Sequence, residues 1–201
     1  MTREETRDNI TGIVLAAGKS SRMGDFKPLL PVGGQSMVKR AAAMLRYAGA
    51  QRVLVVTGRQ AEDIRVHLRD EDVLFVHNPD YASTQMLDSL RLALKELKSG
   101  ESALVTPVDA AAVSFETALR VSEAEGCFVR PICGGKPGHP VKLSPLAVEL
   151  VLSYDGEGGL AGAVGALGMP VTEVEVNDPG ALLDADTPEQ YRLILRAEGE
   201  L

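Results

Sequence analysis

The residues of this chain that could do chemistry fall into three groups. A basic pair, Arg22 and Lys27, lies in the stretch Leu15-Ala-Ala-Gly-Lys-Ser-Ser-Arg-Met-Gly-Asp-Phe-Lys-Pro-Leu-Leu-Pro31, together with Gly18, Ser20 and Gly24. Three acids, Asp109, Asp184 and Asp186, stand beside apolar runs, and His139 sits in the loop Cys133-Gly-Gly-Lys-Pro-Gly-His-Pro-Val141. Gly18 and Gly24 let the backbone approach a ligand, successive amides can form a concave anion site, and Arg22 and Lys27 add fixed positive charge. A triphosphate is the natural guest. Acids near phosphates call for a divalent cation, and magnesium takes oxygen ligands, usually one or two carboxylates plus phosphates.

Two other phosphate loops are excluded by spacing. Gly18-Lys19-Ser20 resembles the end of a Walker A loop, but Ile13 stands where that motif needs its first glycine. The dinucleotide fingerprint Gly-x-Gly-x-x-Gly does not follow this strand either.

The elements that must position these groups follow a βαβα rhythm. The apolar run Ile13-Val14 reads as a buried strand opening into the polar loop. Ser36 begins a helix with Met37, Val38, Ala41, Ala42, Leu45 and Ala48 at helical spacing, ended by Gly49. Arg52–Thr57 is a continuous apolar run, as in a strand covered on both faces. Further helices are expected over 60–69, 86–97 and 115–125, and further strands over 73–76, 103–108 and 127–132. The first of these helices carries Ile64, Val66 and Leu68 less regularly; the second places Met86, Leu90, Ala93, Leu94 and Leu97 on one side. The glycine-rich stretch Asp155–Gly168 reads as a loosely packed helix or a mobile lid. Val171–Val176 alternates as a half-exposed edge strand does. Thr187 as N-cap, Pro188 at the first helical position and Gln190 in a capping box then open a last helix, with Tyr191, Ile194 and Leu195 facing inward. Asp109 ends one strand and Asp184 with Asp186 precede this helix. Ligands of parallel α/β sheets gather at the carboxyl ends of strands, so Asp109 is well placed to hold a cation.

The long gapped pattern Leu-Ala-Ala-Gly-x-Ser-x-Arg-Met-Gly-x-x-Lys-x-Leu-Leu-Pro resembles the signature of the MobA-like NTP transferases, nearest to the molybdenum cofactor cytidylyltransferases. The resemblance covers about Thr11 to Leu195. Asn78-Pro-Asp-Tyr-Ala-Ser-Thr-Gln-Met-Leu-Asp-Ser-Leu90 is similar to a family segment beside the nucleotide, with Thr84-Gln85 where a glycine is usual; this associates Ser89 with the nucleotide. Asp109 matches the family's metal-binding aspartate, in the context Val108-Asp109-Ala110 rather than Gly-Asp-x-Pro. Gly138-His139-Pro140-Val141 resembles a segment near the acceptor, and Asp184-Ala-Asp-Thr-Pro-Glu-Gln-Tyr191 resembles one whose aspartates lie near the metal.

The resemblance implies a magnesium- or manganese-dependent nucleotidyltransferase. It would join a nucleoside monophosphate, from CTP by the presence of Ala17, to a phosphorylated acceptor such as the molybdopterin cofactor. Leu15, Ala16, Ala17, Gly18, Ser20, Arg22, Gly24, Lys27 and Ser89 would hold the nucleotide. Arg22, Lys27 and Asp109 would be catalytic; Asp109, Asp184 and Asp186 would bind the metal; His139 would touch the acceptor. The implied fold is a single α/β domain, Rossmann-like and of the nucleotide-diphospho-sugar transferase type, with a mostly parallel sheet and helices on both faces. A molybdoenzyme or a chaperone could receive the product. A sugar-1-phosphate nucleotidyltransferase and a non-catalytic nucleotide-binding module are the alternatives.

Composition narrows the classes further. The 201 residues fit one domain, expected over 11–201 behind a disordered lead-in over 1–10. A net charge of −7 argues against nucleic-acid binding. No apolar run approaches the roughly 18 residues of a membrane span, and Met1–Asn9 lacks a signal's apolar core, so a cytoplasmic protein is expected. Cys127 and Cys133 read as buried small hydrophobes rather than a disulfide, and they form no zinc pattern with His67, His77 or His139.

Overall fold

A computed structural model of the chain describes residues 9–19 and 23–200. Its strands are β1 (Ile10–Ala16), β2 (Pro31–Val32), β3 (Gln35–Ser36), β4 (Arg52–Thr57), β5 (Leu74–His77), β6 (Ser102–Pro107), β7 (Phe128–Cys133), β8 (Lys136–Pro137), β9 (Val141–Leu143) and β10 (Val171–Glu175). Its α-helices are α1 (Met37–Tyr47), α2 (Ala61–His67), α3 (Met86–Leu94), α4 (Phe115–Glu123), α5 (Pro145–Ser153), α6 (Gly159–Ala166) and α7 (Pro188–Ala197). One eight-stranded sheet runs β10-β7-β9-β6-β1-β4-β5, with β8 paired to β7. The neighbours of β1, namely β4 and β6, are parallel to it, as are the pairs β4–β5 and β7–β10. Only β9 and β8 run against the rest.

The continuous apolar runs of β1 and β4 are explained by two cores. Alternate β1 residues point to opposite faces, so Val14 and Ala16 pack with Leu45, Ile64, Val121 and Ile194 on one side. Ile13 and Leu15 pack with Leu90, Leu94, Val148, Val151 and Ala163 on the other. Helices α1, α2, α4 and α7 therefore cover one face and α3, α5 and α6 the other. Each wholly buried leucine or isoleucine in these layers contributes about 1.5–3 kcal/mol. Serine or threonine side chains cap α1, α4, α5 and α7 through Ser36, Ser114, Ser144 and Thr187, which offsets helix-end amides left without partners.

Several expectations need correction. Of the lead-in expected over 1–10, residues 1–8 lie outside the described residues and Ile10 already opens β1. The antiparallel strand β9 and the helix α5 were not expected: Val141-Lys142-Leu143 is too short for a period-two pattern, and Lys142 interrupts it. Its ammonium is nonetheless buried, donating to the carbonyls of Ser122 (2.9 Å) and Ala124 (3.2 Å) at the end of α4. The stretch over 155–168 holds a helix whose Ala163 and Val164 are buried, and it packs on α5 and α3 instead of standing off as a lid. Met86 and Val66 are exposed, at 61% and 57%, not inward-facing. Cys127 and Cys133 are free but only half-buried. At α7, Thr187 accepts from the Gln190 amide at 3.3 Å, yet Gln190 Oε1 has no hydrogen-bond partner, so only half of the expected capping box forms.

Candidate active site

The carboxyl ends of β1 and β6 open into a cleft of about 310 Å³. Its floor is Leu15, Ala16, Ala17, Gly18 and Lys19 after β1, and Pro107, Val108 and Asp109 after β6; Tyr81, Thr84, Gln85, Met86 and Ser89 form one wall, and Lys27 with Pro28 the other. A Cβ built on Gly18 meets nothing within 4 Å among the described residues. Gly24 has φ +81°, a left-handed conformation that glycine adopts without steric cost. Gly58, at the end of β4, is closed in instead: a Cβ there would lie 2.6 Å from Tyr81 Cβ and 2.8 Å from the Ala17 carbonyl oxygen. Three segments around the cleft therefore meet at that glycine.

At the foot of the cleft, Lys27 lies in a short 3₁₀ turn over Lys27–Leu29 and is buried. Its Nζ donates to Asp109 Oδ2 at 2.9 Å and to Asp186 Oδ1 at 2.7 Å. Burial works against the charge of Lys27, but the hydrogen bond and attraction of Asp186 and Asp109 outweigh it and hold the ammonium above its ordinary pKa. A backbone tie joins the segments that carry the acids: the Ala185 amide donates to the Asp109 carbonyl at 3.1 Å. Asp184 stands behind them. Burial, reinforced by the charges of Asp109 and Asp186, pushes its carboxyl up to about 6.

The segment that follows Lys27 is anchored from the far end of the chain. The Tyr191 hydroxyl of α7 donates to the Pro31 carbonyl at 2.6 Å, and Glu200 accepts from the Gly33 amide. Arg40 of α1 donates to Glu198 Oε1 at 2.8 Å and to the Ala111 carbonyl at 2.6 Å.

The structure thus brings Leu15, Ala16, Ala17, Gly18, Lys27, Ser89 and Asp109 to one cleft, with Asp184 and Asp186 at its foot. Ser20 and Arg22 lie outside the described residues. Ser89 is held by Asn78, whose Nδ2 donates to Ser89 Oγ and to Thr84 Oγ1, both at 2.9 Å. The Thr84-Gln85 departure is absorbed by local bonding: Thr84 Oγ1 donates to the Asp80 carbonyl at 2.9 Å and the Gln85 amide donates to Asp88 Oδ2 at 2.9 Å. His139 is not part of the cleft lining. It sits beside Asp109, where burial lowers its pKa against the pull of that carboxylate, its Nδ1 has no hydrogen-bond partner, and its amide is held by the Ala181 carbonyl at 3.1 Å. Sequence reasoning missed Tyr81, Met86 and Pro28 as lining residues. Met86 in particular reads as core from helical spacing, and only its place in the first turn of α3 turns it toward the cleft.

The donors suit a hard divalent cation. Asp109 and Asp186 already converge on one positive group, the ammonium of Lys27. Among the described residues no three acids, histidines or cysteines gather closely enough to hold an ion unaided, so an ion at these two carboxylates would complete its shell with phosphate or water oxygens.

Comparison with known proteins gives the family. The model of the MobA-like NTP transferase domain matches residues 12–171. The chain belongs to this family of nucleotidyltransferases. The Escherichia coli molybdenum cofactor cytidylyltransferase is 25% identical over 181 residues, which cover 89% of this chain and 92% of that protein. Nicotine blue oxidoreductase of Paenarthrobacter nicotinovorans is 27% identical over 197 residues, covering 92% and 96%. Among solved structures, Rv0371C of Mycobacterium tuberculosis in complex with manganese is 25% identical and superposes with a TM-score of 0.77, over 94% of this chain and 98% of that one. As a MobA-like family member, this protein has the single-domain fold with its mostly parallel sheet that the sequence implies. Among the described residues, no helix is long and apolar enough to cross a membrane.

Proposed function

We propose that this chain is a magnesium- or manganese-dependent nucleotidyltransferase that joins CMP from CTP to a phosphorylated acceptor of the molybdopterin type. The carrying observation is the convergence of Asp109, from the end of β6, and Asp186, ahead of α7, at the foot of a glycine-lined cleft. A phosphate oxygen of the acceptor attacks the α-phosphorus and pyrophosphate leaves, so no proton need be taken from the nucleophile. Catalysis is then positioning and charge neutralisation. The amides of Ala17 and Gly18 and the Ser89 hydroxyl orient the nucleotide, and Arg22 with Lys27 balances charge on the leaving pyrophosphate. Asp109 and Asp186 would hold the divalent cation, which when bound supplies positive charge to the phosphates. His139, beside Asp109, borders the acceptor side. The manganese complex of Rv0371C and the cytidylyltransferase relative support this reading.

The test is a matrix of nucleoside triphosphates against acceptors, molybdopterin and a sugar 1-phosphate among them, scored by pyrophosphate release with and without chelator. CTP with molybdopterin is expected to give the highest kcat/KM, and only with the metal. Equal or better use of GTP overturns the donor assignment. A second reading is favoured by the ammonium of Lys27 between the two acids and by a relative named as an oxidoreductase: a cleft that binds a nucleotide without transferring it. Tight nucleotide binding that survives chelation, with no pyrophosphate released for any pair, would establish that reading instead.

A further inference from the structure

The two carboxylates proposed to hold the metal do not face an open point. Lys27 Nζ sits between them, at 2.9 Å and 2.7 Å, with only 10% of its side chain exposed. One lysine therefore has two roles that exclude each other in space. It cannot both neutralise Asp109 and Asp186 and stand on the phosphates with a cation in its place. Asp184 stands near enough to feel the charges of Asp109 and Asp186, and like charges held together without a counter-charge are costly. An ammonium fixed in the fold removes that cost while the cleft is empty. The same side chain also lines the cleft, so a triphosphate arriving above Gly18 competes for it with negative charge of its own.

Resting on the metal-dependent reading above, we propose that Lys27 is a resident counter-cation: it holds Asp109 and Asp186 in the free protein, and the incoming triphosphate draws it off, opening the acids to the divalent ion. Metal and nucleotide binding are then coupled through one side chain, and the free protein resists loading with metal alone. No covalent bond is made or broken in this exchange; the hydrogen bonds of Lys27 to Asp109 and Asp186 are given up. The lysine passes from carboxylate to phosphate, and the cation enters behind it.

Manganese binding to the nucleotide-free protein, followed by electron paramagnetic resonance of free Mn²⁺, tests this without turnover. Wild type is expected to bind Mn²⁺ weakly. Lys27→Met, which removes the charge, is expected to bind at least about tenfold more tightly, within the range of ordinary coupling between sites, and to gain more melting temperature from added Mn²⁺ than wild type does. Lys27→Gln, neutral but still a hydrogen-bond donor, replaces it if the methionine variant does not fold, and Lys27→Arg is expected to keep the weak binding of wild type. If the folded neutral variant binds Mn²⁺ no better than wild type while Asp109→Asn weakens binding, the counter-cation role is refuted and the metal site stands. If Asp109→Asn changes nothing and no protein binds Mn²⁺ with or without CTP, the metal-dependent reading itself fails.

Discussion

Gly58→Ala perturbs the floor of the cleft without touching any group proposed to react. The added Cβ would stand 2.6 Å from Tyr81 Cβ and 2.8 Å from the Ala17 carbonyl oxygen, where carbon atoms settle at about 3.5–4.0 Å. The neighbours must therefore retreat by roughly 1 Å. Neither is the tip of a flexible side chain, so no rotamer change relieves the overlap; the backbone after β1 has to move. Overpacking of this kind costs about 1–3 kcal/mol. At about 2–4 °C per kcal/mol for a chain of this size, a cost of about 2 kcal/mol lowers Tm by roughly 4–8 °C. Ala17 belongs to the segment proposed to hold the nucleotide, so part of this displacement is expected as weaker binding, up to about tenfold for each 1.4 kcal/mol. Gly18→Ala is the matched control: among the described residues its Cβ meets nothing, so Tm should stay within about 1 °C of wild type while nucleotide affinity falls. Thermal melts and calorimetric titration with a non-hydrolysable CTP analogue measure both. A Gly58→Ala protein with wild-type Tm and wild-type affinity would refute the claim that three segments are locked together there.

Lys27→Ala and Arg22→Ala are each expected to lower kcat/KM with CTP and its acceptor by about 10²-fold or more, the scale for losing one charge-stabilising contact; wild-type values in both would remove the loop from the mechanism. Asp184 is an acid whose folded pKa is raised from 3.8 to about 6, so the folded state holds its proton more tightly than the unfolded state does. Its stabilising contribution is present at the acid end and is lost as pH rises from about 4 to about 6; denaturant melts in chelator should show that decline in wild type and a flatter profile in Asp184→Asn. Tyr191→Phe removes the hydroxyl bonded to the Pro31 carbonyl, at a cost of about 1 kcal/mol, and a Tm unchanged from wild type would mean that this bond does not anchor the segment carrying Lys27.

The parts of this fold that the sequence reveals are those with long-range periodic patterns. The runs at β1, β4 and β6 are continuous because both faces are covered, and the capping residues Ser36 and Thr187 are local signals that the structure uses directly. What escaped was set by tertiary contact. The Lys142 strand reads as polar because nothing in its three residues announces the carbonyls of α4 that receive its ammonium. The same holds at the site. Gly18, Lys27, Asp109 and Asp186 can be picked out one at a time from their motifs, but the ion pairs linking Lys27 to both acids span 82 and 159 residues. A motif gives each residue a plausible partner, phosphate for the lysine and metal for the acids. Only the folded chain shows that they also partner one another.

The separation between Lys27 and Asp186 also has a consequence for synthesis. At about 5–20 residues per second, a ribosome finishes Asp186 roughly ten to thirty seconds after Lys27. For that interval the nascent segment carries its lysine without Asp186 or the Tyr191 hydroxyl that later fixes Pro31, which lies 160 residues before it. The cleft is thus closed by a late-arriving segment. A chain arrested before Asp186 already carries every described strand of the sheet, yet it lacks one of the two acids and the clasp on the loop. The arrangement of Lys27 between Asp109 and Asp186 is therefore withheld from unfinished protein, and translation of Asp186 and the last helix completes it.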